Sequence, residues 1–453
     1  MHNRDLTQGN PTKLIAMFAL PMLIGSIFQQ LYSMVDSMIV GKFVSVDAFA
    51  AVGATSSVLY MMIAVIIGFT VGIAVTTSQF VGAQDDESVR DAVGFALLVS
   101  VCLSALLAVL GNIFAGAVLR LLKTPPEIFA DARTYLMINF SSSIGPISYN
   151  MFSQIIRASG DSRNPLIALI ISSLTNIMLD LVFVLAFHMG VGGVALATGI
   201  SQFVSALYCI IVIRTKLPRY WPRRANIRFH SHILVRVCKI GVPMAIQSLF
   251  TSFGDMFVQR IVNSLGPIVV AGYTAAIKLN ELALQGVMSL GEALSVYSGQ
   301  NTGARKPERV RMGVRSGLKL GLGLSLAFSL LIWFGGQSLV QLFVSSEDAG
   351  ADQVIKIAME FLRRVCPFYF AGCVMYIFSN TLRGMGRVTI PTAASFVELG
   401  MKTLAAFAFS KLLTRSEIWF AWPVGYLSAV ALLIAYYYAA IIRPAKSDAQ
   451  PTV

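Results

Sequence analysis

The chain states one pattern twice, which restricts it to a fold with two like halves. Phe152-Ser153-x-x-x-Arg157-x-x-Gly160-x-x-x-x-Pro165 returns as Phe378-Ser379-x-x-x-Arg383-x-x-Gly386-x-x-x-x-Pro391, 226 positions later. Gln79-x-x-Gly82-Ala83, followed by Val89-Arg90, returns as Gln300-x-x-Gly303-Ala304 and Val310-Arg311, 221 positions later. Pro21-Met22-x-Ile24-x-Ser26-x-Phe28 returns as Pro243-Met244-x-Ile246-x-Ser248-x-Phe250, 222 positions later. Near-constant offsets in one order mark a duplicated unit, and in a strongly apolar chain such a duplication points first to a transporter.

The apolar character is pronounced. Of 453 residues, 56% are hydrophobic and 13% charged, where a soluble domain carries roughly 25% charged residues. Residues 92–119, 134–156 and 181–213 hold no charge. A membrane span needs about 20 apolar residues, so 181–213 must hold the end of one helix and most of another, broken at Gly190-Val191-Gly192-Gly193. Twelve spans fit this punctuation, near 14–40, 50–78, 92–118, 134–155, 165–188, 194–213, 241–264, 269–297, 316–344, 361–381, 389–411 and 419–442. The expected fold is therefore all-α: a polytopic membrane protein with 12 transmembrane helices in two six-helix lobes. An even number of spans per repeat makes the repeats parallel, related by an axis along the membrane normal. The expected division is an N-terminal lobe at 1–213, a linker at 214–240 and a C-terminal lobe at 241–453. No cleavable signal peptide is expected, because the first apolar segment carries Pro21 and Asp36 and is too long.

Charge placement predicts orientation. With both termini in the cytoplasm of a bacterial cell, 23 of the 35 Lys and Arg fall on the inner side and 9 on the outer. That asymmetry follows the positive-inside rule of a cytoplasmic (inner) membrane protein. The net charge of +13 is thereby read as topology, with the lipid bilayer as partner and no nucleic acid. The linker, with eight Lys and Arg plus Pro218 and Pro222, reads as a tether against anionic headgroups. The five cysteines lie in or beside apolar spans, and the four histidines do not join them at zinc-ligand spacing.

Ionisable groups inside spans are expensive and so are functional candidates. Glu398 and Lys402 stand four apart on one helix, Lys278 and Glu281 three apart, and each pair can neutralise itself. Asp255 could partner Arg260 through Gln259. Asp36 and Asp180 differ, having no base within one helical turn. Each lies roughly 22 Å beyond a proline, Pro21 or Pro165, on a helix rising from the cytoplasm. Asn176 and Tyr32 sit one turn below them, and Thr198 opens the sixth span at similar height. In the second repeat Asp36 aligns with Val258, Asp180 with Ala406 and Asn176 with Lys402, so one lobe has specialised. Two buried carboxyls with no cation nearby cannot both stay charged and titrate as a unit. The cluster could carry a proton, and Asp36, Asn176, Asp180 and Thr198 could equally hold Na+ as hard oxygen ligands. Asp255, Glu281 and Lys278 make a second polar site in the C-terminal lobe. Pro21 removes one backbone hydrogen bond mid-helix and is the expected hinge. Met34, Met61, Met62, Met151 and Met256 are candidates to line a permissive cavity.

These residues resemble the multidrug and toxic compound extrusion transporters of bacteria. The resemblance rests on Pro21, Tyr32 and Asp36, on Val40-Gly41, on Ala50-Ala51-Val52-Gly53, and on Gly82-Ala83. Arg157-x-x-Gly160-Asp161, Asn176-x-x-x-Asp180 and Gly190-Val191-Gly192-Gly193-Val194-Ala195-Leu196-Ala197-Thr198 extend it over about 14–442. It implies a V-shaped cavity between two lobes and export of drugs, often organic cations, in exchange for H+ or Na+ by alternating access. It also implies that Tyr32, Asp36, Asn176, Asp180 and Thr198 form the coupling site of the proton-linked branch. The sodium-linked branch adds acids in the seventh span. Asp255 stands 12 residues after Pro243, one turn beyond the position expected there, with Glu281 as a substitute. A monomer without cofactors is expected. The rival is a lipid-linked oligosaccharide flippase of the same superfamily, which would need several unpaired Arg or Lys in its cavity. An enzyme is not expected, since no His-Glu-x-x-His or Gly-x-Ser-x-Gly constellation sits at membrane depth, and no P-loop is present.

Overall fold

The computed structural model describes residues 5–342, 350–412 and 415–439. The expected ends of the ninth and twelfth spans, at 344 and 442, and the termini at 1 and 453 lie outside the described residues. The described chain is helical throughout, with no strand. In the first repeat run α1 (Pro11–Ile39), α2 (Val46–Gly82), α3 (Asp86–Leu121), α4 (Pro126–Ser141), α5 (Ile144–Ala158), α6 (Arg163–Leu181) and α7 (Gly190–Lys216). In the second run α8 (Ser231–Asn263), α9 (Pro267–Gly303), α10 (Pro307–Gln341), α11 (Ala351–Val365), α12 (Tyr369–Gly384), α13 (Thr389–Leu412) and α14 (Ala421–Tyr437).

Among the described residues twelve helical runs thus occupy the expected spans, but two of them are broken. The run over 134–155 divides at Ser142–Ser143, where Ser142 Oγ turns back onto the Ile138 carbonyl at 2.8 Å. Such side-chain bonding competes with the helix ladder. Close approach on the far side supports the break, because a Cβ on Gly199 would meet Ser142 Cβ at 2.4 Å. The tenth run divides at Cys366–Phe368, where Pro367 has no N–H to give. Among the described residues nine helices are long and apolar enough to cross a membrane. The runs outside that set are the broken α4–α5, and α9 and α13, which carry Lys278, Glu281, Glu398 and Lys402. The outward side chains are themselves apolar, with Phe334 82% and Leu121 82% exposed, as a lipid-facing surface requires.

The repeat is visible in the backbone. Gly160 and Gly386, equivalent in the two copies, adopt φ +90° and +79°, the left-handed region that glycine favours at a helix end. Each closes the same turn: Gly160 N donates to Arg157 O at 2.9 Å, and Gly386 N to Arg383 O at 2.7 Å. Gln84 and Arg305, also equivalent, take φ 59° and 55°.

The chain clusters into two compact units. The first is built mainly from Phe18–Ala245, joined by Gly299–Arg305. The second is built mainly from Ile246–Ser298 and the chain after Lys306, joined by Gly9–Met17. The chain therefore changes units close to Pro21 in α1 and Pro243 in α8. The first unit centres on Phe95, Ile147, Phe152, Ile155 and Ile156. The second contains an aromatic group in which Tyr273 stacks on Trp419 at 5.8 Å, with Phe361 and Trp422 against them.

Inside the first unit the two copies of Gln-x-x-Gly meet reciprocally. A Cβ on Gly82 would lie 1.8 Å from the Gln300 carbonyl oxygen, and one on Gly303 would lie 1.9 Å from that of Gln79. Small residues at helix contacts allow this approach of backbones. Gly82→Ala or Gly303→Ala is expected to cost about 1–3 kcal/mol by overpacking. Thermal melts in detergent should therefore fall by several degrees, whereas Gly53→Ala, with nothing within 4 Å, should melt as the parent does.

Candidate functional site

In the first unit, α1, α4, α6 and α7 bring one polar side chain or more each to a common point. Asp180 and Asn176 come from α6, one turn apart, and both are fully buried. Asn176 Nδ2 donates to Thr198 Oγ1 of α7 at 3.3 Å. Tyr32 of α1 reaches the same Thr198 hydroxyl. Asp36, one turn on, faces Asp180 directly, each carboxyl acting on the other. All five residues expected at the coupling site are therefore neighbours.

Among the described residues no cation balances them. The influences on the two carboxyls are burial and each other, with no Lys, Arg or His among them. No hydrogen bond from the described residues reaches Asp36 Oδ1, either oxygen of Asp180, or Asn176 Oδ1. Buried oxygens left unsatisfied are costly, and two such carboxylates in one desolvated space repel. A proton or a small cation between these oxygens would relieve both terms.

Two features were not foreseen. Tyr135 of α4 faces both carboxyls, and its carbonyl accepts from Asn139 Nδ2 at 2.9 Å. Moreover, both acid-bearing helices widen into π-helix just past the acid, α1 at Val40–Val44 and α6 at Val182–Ala186. Insertions of this kind concentrate at functional sites. Val40 and Val184 from those segments pack with Ile39, Tyr135, Val191 and Val194 in a small apolar core beside the polar cluster. Gly190, at φ +56°, turns the chain from the second π segment into α7. Pro21 lies inside the continuous α1. Of the candidate methionines, Met34, Met61 and Met256 are exposed, while Met62 and Met151 are core.

The second unit holds a different arrangement. Lys402 of α13 is nearly buried and bonds Asp255 of α8 at 2.9 Å, with Glu398 at 4.0 Å. The expected link from Asp255 to Arg260 is not formed. Five residues along a helix turn the two side chains well apart, and Gln259 bonds Asn263 at 2.7 Å instead. Lys278 and Glu281 pair with each other at 3.9 Å, both more than half exposed. Tyr273 stands within electrostatic reach of both Asp255 and Glu281. Trp422 lies 6.0 Å from Lys402 Nζ, and Gly425 leaves room for α13, since a Cβ there would meet Glu398 O at 2.9 Å. At the position equivalent to Asn176, this unit therefore carries its own cation, satisfied by two acids.

Duplicated helical units with membrane-spanning helices and a buried polar centre define a multi-pass membrane transporter. The MatE family model matches residues 21–182 and again 243–408, the same displacement that separates the repeated motifs. The chain belongs to this family, the multidrug and toxic compound extrusion transporters. It is 32% identical over 385 residues to the probable multidrug resistance protein YpnP of Bacillus subtilis (strain 168), covering 84% of each chain. It is 26% identical over 398 residues to the probable multidrug resistance protein NorM of Thermotoga maritima, covering 85% of this chain and 83% of that one. Among solved structures, one described as the outward-facing conformation of a multidrug resistance MATE family transporter of the MOP superfamily superposes with TM-score 0.90. Its identity is 22%, over 98% of this chain and 99% of that one.

Removing Lys402 should expose the cost of its partners. Lys402→Met leaves the half-buried Glu398 without its cation, and an unsatisfied group of this kind costs about 1–3 kcal/mol. The variant should melt well below the parent in detergent, and Lys402→Met combined with Glu398→Gln should recover part of the loss.

Proposed function

We propose that this protein is a secondary antiporter that exports amphiphilic or cationic compounds in exchange for H+ or Na+ by alternating access. The observation that carries this is the facing pair of half-buried Asp36 and buried Asp180, with no cation beside them among the described residues. Tyr32, Asn176 and Thr198 supply the hydroxyls and amide that would stabilise the pair in both its loaded and unloaded forms. Relatives described as multidrug resistance proteins support the efflux reading. An unloaded pair carries more negative charge in one place than the apolar surroundings tolerate. An organic cation and the coupling ion would then compete for relief of that charge, which is the exchange an antiporter needs.

The site would lie in the N-terminal lobe, residues 1–213, with 214–240 as linker and 241–453 as C-terminal lobe. The distribution of Lys and Arg supports a cytoplasmic-membrane location with both termini inside. One chain carries every residue of the pair, so a monomer suffices. In the C-terminal lobe, Asp255 with Lys402, and Lys278 with Glu281, would be structural pairs. The flippase alternative calls for free cations toward a pyrophosphate, whereas Lys402 and Lys278 both have acid partners. Pro21 would absorb the movement of α1 as the load on Asp36 changes.

Efflux of ethidium from proteoliposomes, driven separately by a pH and a sodium gradient, tests the proposal and identifies the ion. Asp36→Asn and Asp180→Asn should each fall to the rate of protein-free vesicles while remaining folded. Full gradient-driven efflux by both variants would remove the proposal. Pro21→Ala, which restores a backbone bond to α1, should keep ethidium binding and slow turnover, measured as binding in micelles against efflux rate in vesicles.

A further inference from the structure

The segment joining the repeats does not lie loosely on the first unit. Its short turn at Arg224–Asn226 seats on α3, where a Cβ on Gly94 would meet the Asn226 carbonyl at 2.3 Å. Asn226 Nδ2 donates to Glu87 Oε1 at 2.8 Å and to Asp91 Oδ1 at 2.7 Å. Phe229 then meets Phe95 edge-on at 6.3 Å. The chain from 226 to 229 is therefore held along one face of α3, and it delivers His230 to Asp91. His230 is buried, with Nε2 3.2 Å from Asp91 Oδ1 and 3.3 Å from the Asn226 carbonyl. His232, on the first turn of α8, is exposed, and its ring lies 5.5 Å from that of His230. One ligand atom from each of Asp91, His230 and His232 falls within 4.8 Å of the other two.

We infer that Asp91, His230 and His232 form a binding site for a divalent transition cation of the zinc class, which would fasten the inter-repeat segment and the start of α8 to α3. Two imidazoles and one carboxylate suit a borderline cation of this kind, whereas calcium and magnesium take oxygen ligands. In a tetrahedral zinc site with bonds of about 2.0–2.1 Å, neighbouring ligand atoms stand about 3.4 Å apart. The 3.2 Å between His230 and Asp91 is already close to that edge. The exposed side chain of His232 can close the remaining gap by rotation, and its open side leaves the fourth position to water. Asn226 supplies the supporting contact, since its side-chain amide donates to the Asp91 carboxylate at 2.7 Å; on binding, His230 Nε2 would exchange its contact with the Asn226 carbonyl for the cation. Outer partners of this type orient metal ligands. Glu87, also held by Asn226, adds negative charge beside a cation bound in a basic segment.

The test uses untagged, full-length protein in detergent micelles, stripped by a chelator. Zn2+ is titrated in competition with a chromogenic chelator, and Co2+ is titrated while its visible absorption is recorded. The expected result is one equivalent of Zn2+ and a four-coordinate Co2+ spectrum. His232→Ala, whose side chain is exposed and so leaves the fold intact, should weaken Zn2+ by about 10–100-fold or more. Asp91→Asn should do the same, and His188→Ala should leave binding unchanged. Absence of a stoichiometric Zn2+ site, or equal affinity in the parent and His232→Ala, would overturn the inference and leave Asp91–His230 as a packing hydrogen bond.

Discussion

Two carboxyls facing each other in one water-poor space, with no base beside them among the described residues, set the terms for the rest of this molecule. A lipid-embedded protein ordinarily neutralises each internal charge, and the second unit does so, with Lys402 held by Asp255 and Glu398. The first unit leaves Asp36 and Asp180 to each other. The surrounding groups make that tolerable without cancelling it. Asn176, Thr198 and Tyr32 offer neutral dipoles, and a small apolar core from Ile39 to Val194 closes one side. The balance of such a site depends on what is bound, and in the proposed antiport this dependence would drive transport.

The helices that carry the acids are also those that depart from ideal geometry. α1 contains Pro21 and ends in a π segment, and α6 ends in another. A helix already lacking one backbone bond, and widened past the acid, can rearrange at lower cost than an ideal one. A change of charge at Asp36, as the proposed exchange requires, would thus fall on a helix able to respond. Elsewhere the contacts are rigid: Gly82 against Gln300 and Gly303 against Gln79 bring backbones together with no room for a side chain.

Much of this was legible in the residues. Repetition of Gln-x-x-Gly and Arg-x-x-Gly exposed the duplication, because a turn that needs a left-handed residue needs it in both copies, as Gly160 and Gly386 show. Asp36 and Asp180 could be set at one height because Pro21 and Pro165 mark distance along their helices. What stayed hidden depended on neighbours across space. Tyr135 was obscured because α4 ends at Ser141, well within the expected span. Lys402 was assigned to Glu398 on its own helix, whereas its shorter bond crosses to Asp255. Asp91 and His230 lie far apart in the chain, and no spacing rule joins them; only the docking of Asn226 on Gly94 does. The π segments have no sequence signature comparable to a proline.

The central claim is that the acidic pair gives up its ion when cargo binds. Its most direct test is to count ions released when tetraphenylphosphonium is added to purified protein in weakly buffered micelles, with a pH indicator and a sodium electrode. Release of H+ or Na+ by the parent, and none by Asp36→Asn, is the predicted result. Cargo binding by the parent with no release of either ion would contradict it.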